Sequence, residues 1–279
     1  MSITYTIHSA VDQPIRVCTS ILKPAEEQVF LRDGLVLAER RMPDAGIAEL
    51  RAAVDELAAA RFPDGETRTY REDFAGQYVR DGHKQDPRIV TAALLEFPLA
   101  DTIRCLLGPR IVLRNTNIRI TQPGSGDDTI WHTDYRPHTT PTPALPSAPP
   151  VITVLIYLDA TSAQTGPLYV VPGSHDRSEQ PPVTHDDLPG QVAVCVQPGQ
   201  VVLMNAALWH RGGANHSLTT RRRLLTLQLS GIFTALFNFE PALPSPAFQR
   251  LVEQARARRD EPLLELLGLG GVNPTTGSY

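Results

Sequence analysis

The chain has 279 residues, of which 42% are hydrophobic and 20% charged, with a formal net charge of −4 when histidine is neutral. This composition is ordinary for a soluble globular protein, and a chain near this length buries roughly three quarters of its unfolded surface, enough for a substantial core. A slightly acidic balance without any basic block excludes nucleic acid and anionic membrane as expected partners.

In chain order, residues 27–42 read as a short apolar strand region broken at Gly34. Asp44 then caps a helix from Ala45 to about Arg61, whose Ile47, Leu50, Ala53, Val54 and Leu57 recur at helical spacing. A second helical stretch covers about Asp86 to Leu107, restarted at Pro98 and ended by Gly108-Pro109. From Arg110 the texture changes. Residues 110–121 alternate in polarity, and the runs 151–158, 167–171, 191–196, 200–205 and 221–230 are rich in Val, Leu and Ile between Gly/Pro punctuation. That pattern predicts about seven or eight strands in a double-sheet jelly roll. Residues 137–150 carry six prolines and read as a long loop, a candidate lid or binding loop. Helix returns around 246–259 and 262–267 before a Gly/Thr/Ser tail.

No internal repeat or linker interrupts this order. The expectation is one mainly β domain over 1–279 with flanking helices: a helical part at about 23–109, a β core at about 110–232 and a C-terminal helical part at about 240–270. The three cysteines, Cys18, Cys105 and Cys195, are far apart and form no C-x-x-C pair, which argues against disulfides or a thiolate metal site. A reducing, cytoplasmic setting is expected. The first residues lack the basic start and apolar core of a signal peptide, and no apolar run approaches the length of a membrane span.

Two segments carry the chemistry, Trp131-His132-Thr133-Asp134 and Trp209-His210. Two imidazoles and one carboxylate form the set that holds Fe(II) on one face and leaves coordination positions open. His132 and Asp134, at i and i+2, point to one face of a strand. His210 follows the apolar run Val201-Val202-Leu203-Met204 and precedes Gly212-Gly213, where a tight turn can set the register toward Arg221. On that reading His210 and Arg221 share the barrel interior. Two His and a carboxylate also describe catalytic zinc sites, yet no helical H-E-x-x-H appears. An arginine that grips a carboxylate through two parallel hydrogen bonds favours iron with an organic acid. Arg221, Arg222 and Arg223 are consecutive; by alternation Arg221 and Arg223 face one way and Arg222 the other, so either Arg221 or Arg223 is the candidate anchor.

These residues resemble the phytanoyl-CoA dioxygenase (PhyH-like) family of Fe(II)/2-oxoglutarate oxygenases. The likeness rests on Phe30 with Gly34-Leu35-Val36-Leu37, His132-Thr133-Asp134, the stretch from Gly166 to Pro172-Gly173-Ser174-His175, and His210 through Asn215 and Ser217 to Arg221. The resemblance implies a double-stranded β-helix (jelly roll, cupin-like) with iron held by His132, Asp134 and His210, with O2 and 2-oxoglutarate as co-substrates. It places Arg221 on the distal carboxylate of 2-oxoglutarate, with Asn117 and Thr129 as further co-substrate contacts, and it leaves His175 structural. Thr165 before Gly166 and Gln200 after Gly199 depart from the usual family residues, and neither touches the proposed metal site. The retained Asp134 disfavours halogenation, for which relatives have a small residue there.

Tyr135, Arg136 and His138 directly follow the metal segment and are the candidate substrate residues. The expected reaction is oxidation, by default hydroxylation, of a small or medium organic molecule, as in specialised metabolite biosynthesis. Desaturation, epoxidation and cyclisation are open to the same chemistry. The alternatives are a phytanoyl-type acyl-CoA hydroxylase, which the absence of a basic patch disfavours, and a cupin-like metal- or ligand-binding protein without turnover. Oligomeric state is left open.

Overall fold

The computed structural model describes residues 2–5, 16–65, 76–125, 128–135, 151–232, 234 and 243–269. Its elements run β1 (Ser2–Tyr5), β2 (Arg16–Thr19), α1 (Pro24–Asp33), β3 (Leu35–Leu37), α2 (Asp44–Arg61), β4 (Gln77–Arg80), α3 (Gly82–Gln85) and α4 (Arg88–Val90), which continues as a π-helical turn over Thr91–Glu96. Then come α5 (Leu99–Leu107), β5 (Ile111–Thr121), β6 (Val151–Tyr157), β7 (Leu168–Val170), β8 (Val192–Val194), β9 (Val201–Asn205), β10 (His210–Gly212), β11 (Arg222–Gly231), α6 (Pro246–Arg258) and α7 (Glu261–Leu266).

Two antiparallel sheets make the core of the fold. The larger has the order β3-β9-β6-β11-β5-β4 and the smaller β10-β7-β8, while β1 and β2 pair separately. An isolated antiparallel bridge between His132 and His210 adds one more segment to the small sheet beside β10. This is the jelly roll expected from the alternating runs.

The large sheet separates two environments because its strands alternate. One face presents Ile118, Ile120, Ile152, Val154, Ile156, Val201, Leu203, Leu225, Leu227 and Leu229 to the helical layer. There α2 contributes Ile47, Leu50, Ala53 and Val54 at the expected spacing. The other face presents Leu155, Tyr157, Val202 and Met204 toward Leu168, Val170, Val196 and Leu208 of the small-sheet side.

Two local expectations are corrected. Residues 24–33 are helical rather than extended: Pro24 opens the first turn, the Glu26 carboxylate accepts the Lys23 N–H at 2.7 Å, and Gly34 closes the helix at φ 79°. Capping at both ends outweighs the apolar run. Likewise, Pro43 rather than Asp44 is the N-cap of α2, and Asp44 is its first residue. The 137–150 loop and the 270–279 tail lie outside the described residues.

Leu227 is fully buried against the helical layer, whereas Arg221 is exposed on the sheet margin. Leu227→Ala is expected to cost about 3 kcal/mol and Arg221→Ala less than about 1 kcal/mol. Denaturant midpoints check this, and comparable losses would show that the apolar face has been misplaced.

Candidate metal centre

The centre is built from one strand and one short bridging segment. His210 opens β10, and its main-chain N–H and C=O exchange hydrogen bonds with those of His132, each at 3.0 Å. That pairing sets the two side chains opposite one another, with ring centroids 4.2 Å apart at 51°. Asp134, two residues beyond His132, reaches the same place. His132, Asp134 and His210 each offer a ligand atom, and these atoms all lie within 4.8 Å of one another.

Each donor is oriented by a second contact. His132 Nδ1 lies 2.8 Å from the Ile130 carbonyl and His210 Nδ1 lies 2.9 Å from the Leu208 carbonyl. With Nδ1–H donating to a carbonyl, Nε2 is left as the lone-pair nitrogen of each ring. Asp134 Oδ2 accepts from the Thr153 hydroxyl at 2.6 Å, and Asp134 Oδ1 lies 3.5 Å from His210 Nε2. Burial, with His210 opposite, lowers the His132 pKa to about 4, so its imidazole is neutral at pH 7. Burial opposes charge on Asp134, yet the histidines and the Thr153 bond outweigh it and hold the carboxyl below the usual range. Burial likewise opposes charge on His210, and Asp134 overrides it, raising that pKa. Two neutral-capable imidazoles and an ionised carboxylate are the donor set a divalent iron accepts.

A second polar cluster gathers where β10 lacks a side chain. Alternation turns His210 and Gly212 to one side of β10 and Arg211 to the other. A Cβ placed on Gly212 would meet Arg119 Nη1 at 3.3 Å, Thr129 Oγ1 at 3.6 Å and Arg222 Nη2 at 4.0 Å. Thr129 is tied in place, its hydroxyl accepting the Gly212 N–H at 2.7 Å. Arg222 is buried; its Nη1 donates to the carbonyls of Thr165, Gly166 and Gly213 at 3.2, 2.5 and 2.8 Å, and its Nη2 donates to Thr121 Oγ1 at 3.2 Å. These partners are all neutral. Burial pulls its pKa down, opposed by Tyr157. Gly166, at φ 87°, leaves the space this guanidinium fills, since a Cβ there would sit 2.1 Å from Arg222 Nη1.

Arg221 is not part of this cluster. Its side chain faces α2, where Nη2 donates to Asp55 at 2.8 Å, and Arg223 joins it, bonding Asp55 and both oxygens of Asp159. The expectation that His210 and Arg221 share the interior is corrected for a topological reason. β10 pairs with β7, whereas β11 pairs with β5 and β6, so residues 213–221 pass from one sheet to the other and form no hairpin. Arg222 is the arginine that turns inward.

Other candidates fall as follows. Asn117 faces inward one rung from the Arg119–Leu224 pair, opposite Thr226. Tyr135, whose N–H donates to the Ala206 carbonyl at 3.0 Å, adjoins Asp134. Arg136 and His138 lie outside the described residues. His175 packs on Gly34 and reaches the Leu31 carbonyl at 3.2 Å, away from the centre. Trp131 and Trp209 pack in a separate apolar cluster with Val171. Sequence reasoning missed Thr153 and Arg119, although each was marked: Thr153 is the polar residue in an apolar run, and Arg119 shares the parity of Asn117.

The sequence profile of the phytanoyl-CoA dioxygenase (PhyH) family matches residues 30–223. The chain belongs to that family. It is 31% identical over 176 residues to the iron/alpha-ketoglutarate-dependent dioxygenase penM of Penicillium thymicola, a match covering 58% of this chain and 53% of penM. The chain thus spans about half the length of that relative. In fold it is similar to EctD from S. alaskensis with 2-oxoglutarate and 5-hydroxyectoine (TM-score 0.64, 22% identity, 82% of this chain and 83% of that one). It is also similar to the non-heme alpha ketoglutarate dependent carbocyclase SnoK from nogalamycin biosynthesis (TM-score 0.62, 22% identity, 82% and 96%). No helix among the described residues is long and apolar enough to cross a membrane.

Replacing the Thr153 hydroxyl by a methyl in Thr153→Val removes the bond that orients Asp134. Metal affinity is expected to fall about tenfold or more, as for other residues that orient a ligand. Calorimetric titration with Mn(II), alongside His210→Ala as the variant that loses binding, measures this; an unchanged affinity would mean Asp134 needs no such support.

Proposed function

We propose that the chain is a non-haem Fe(II)/2-oxoglutarate-dependent dioxygenase that hydroxylates a small or medium organic molecule. The observation that carries this reading is the close approach of His132, Asp134 and His210, with the buried Arg222 and the partly buried Arg119 gathered over Gly212 of the same strand as His210. When bound, the iron supplies the redox chemistry by which substrate R–H, 2-oxoglutarate and O2 become R–OH, succinate and CO2. The two histidines and Asp134 hold it, and Thr153 keeps the carboxylate aimed.

Arg222 and Arg119 receive the distal carboxylate of 2-oxoglutarate, with Thr129 at the same opening over Gly212. A buried guanidinium whose partners are neutral is costly until an anion joins it. The planar fork of arginine suits a carboxylate better than lysine does. Tyr157 adjoins both arginines, and burial, only partly countered by them, raises its pKa and keeps the phenol neutral. Leu155, Val202 and Met204 line the interior with apolar side chains and exclude water around the reacting groups. Asn117 lies between this end and the metal, where it contacts the co-substrate. Tyr135, directly after Asp134, borders the place left for the molecule being oxidised, and Arg136 and His138, which lie outside the described residues, are proposed as further substrate contacts from their sequence position alone. The likeness to SnoK, a carbocyclase from nogalamycin biosynthesis, supports a substrate from specialised metabolism.

Purified under argon, loaded with Fe(II) and then exposed to O2, the protein is expected to form succinate from 2-oxoglutarate. Arg222→Ala and Arg119→Ala are expected to raise the 2-oxoglutarate requirement about 30-fold or more, the loss typical for removing one partner of a buried charge pair. Arg221→Ala is expected to stay within about twofold, since its charge is held by Asp55 at the surface. A strong effect at Arg221 with none at Arg222 would overturn the inward facing of Arg222.

A further inference from the structure

Arg114 occupies the one place where the pairing of β5 with β11 slips. Asn115 faces Gln228 and Leu113 faces Leu229, so Arg114 is the extra residue of a β-bulge. Bulges bend a strand and re-aim a side chain, often beside an active site. Here Arg114, although buried, turns to Tyr135: its guanidinium carbon lies 5.4 Å from the centre of that ring. Its Nη1 donates to the Thr234 carbonyl at a long 3.4 Å. Among the described residues, an aromatic face and a carbonyl oxygen give this buried cation attraction without an anion. Burial pulls the Arg114 pKa down, opposed by Tyr135.

The surroundings connect Arg114 to the metal side chains. Tyr135 directly follows Asp134, and the Thr153 that bonds Asp134 faces Gln228 across β6 and β11. Gln228 Oε1 accepts from Asn115 Nδ2 at 2.9 Å, and Asn117 Nδ2 donates to Asn115 Oδ1 at 3.3 Å. A polar wall of amides therefore runs along the strand from the centre to Arg114. Arg119 and Arg222 belong to the opposite end. Arg119 is five residue steps along β5 from Arg114, roughly 16 Å at about 3.3 Å per step. A short diacid anchored at Arg119 and Arg222 leaves Arg114 for another ligand.

We propose that Arg114 is the specificity-determining residue for the molecule to be oxidised and binds it through a carboxylate. Tyr135 supports the guanidinium from behind, and the Asn115–Gln228 pair lines the approach to the metal. A planar fork offering paired N–H donors matches a carboxylate in shape. The proposal rests on the oxygenase reading above.

The test uses the full chain loaded with Fe(II), supplied with 2-oxoglutarate and O2. Free acids on aromatic, aliphatic and fused-ring scaffolds are each compared with their methyl ester and primary amide, reading accelerated succinate formation and a mass gain of one oxygen. The compounds that accelerate are expected to be free acids, with KM at least tenfold below their neutral partners. Arg114→Gln is expected to raise the KM of the acid at least tenfold and erase the discrimination, and Arg114→Lys to restore part of it. The Kd for 2-oxoglutarate, read under argon from the charge-transfer absorbance of the ferrous complex, is expected to stay within twofold in both variants. The proposal is overturned if neutral compounds accelerate as well as the acids, if no acid accelerates, or if Arg114→Gln leaves the acid KM unchanged. A tenfold shift in the 2-oxoglutarate Kd would instead assign Arg114 to the co-substrate and overturn it equally. Absence of both the charge-transfer band and any succinate takes the oxygenase reading down first, a result distinct from the others.

Discussion

The main-chain exchange between His132 and His210 is the contact on which the rest depends. Residues that trade both hydrogen bonds across antiparallel strands are held about 5.5 Å apart at Cα, with side chains on the same face. For two histidines this fixes a pair of imidazoles that cannot both be protonated at low cost. Their Nδ1 atoms are engaged by the Ile130 and Leu208 carbonyls, so the nitrogens that face each other and Asp134 are lone-pair donors. A divalent cation resolves this arrangement.

The large sheet makes the arrangement possible by having unlike faces. Leu225, Leu227 and Leu229 bury hydrocarbon against the helices, while Leu224, Thr226 and Gln228 of the same strand face the interior with Arg119, Asn117 and Asn115 as their rung partners. Hydrophobic burial on one face holds polar and charged groups in place on the other. Those groups are desolvated by the small sheet closing over them, which strengthens their action on a bound anion and makes them costly without one. Gly166 and Gly212 belong to this balance, since each leaves out a side chain where a guanidinium or its ligand must fit.

Much of this was legible in the chain. The H-x-D triplet and the distant Trp-His pair marked the three side chains that converge, and the apolar runs gave β5, β6, β7, β8, β9 and β11 close to their observed bounds, while β4 was not expected. The inward arginine was not legible. Three consecutive arginines offer every parity, and an offset counted from His210 assumes that β10 and β11 are neighbours. The connection instead crosses between sheets, so the count says nothing about facing, and Arg222 turns inward while Arg221 and Arg223 close on Asp55. Arg114 was hidden for a related reason. A bulge adds one residue to one strand, which breaks the parity that sequence patterns rely on. The helix at 24–33 was missed because its determinants are caps at Glu26 and Gly34 rather than periodic apolar residues.

The outer face of β10 shows why the two histidines keep their geometry. Arg211 points away from the centre and lies between two rings, its guanidinium carbon 4.4 Å from the centre of Tyr169 and 5.4 Å from that of Trp131. Asp128 and Asp187 hold its two terminal nitrogens at 3.2 and 2.8 Å, and Trp131 Nε1 donates to the Asp186 carbonyl at 2.8 Å. Residues adjacent to both histidines are thereby locked to each other through side chains as well as main chain. Cation–π contact and ion pairing reinforce one another because the guanidinium is buried. The centre thus has a rigid back, made by Trp131, Arg211 and Tyr169, and a front where Tyr135 leads away from Asp134. Ligand geometry is set from behind, which leaves the side chains in front, Tyr135 and Arg114 among them, to be shaped by what the site must admit.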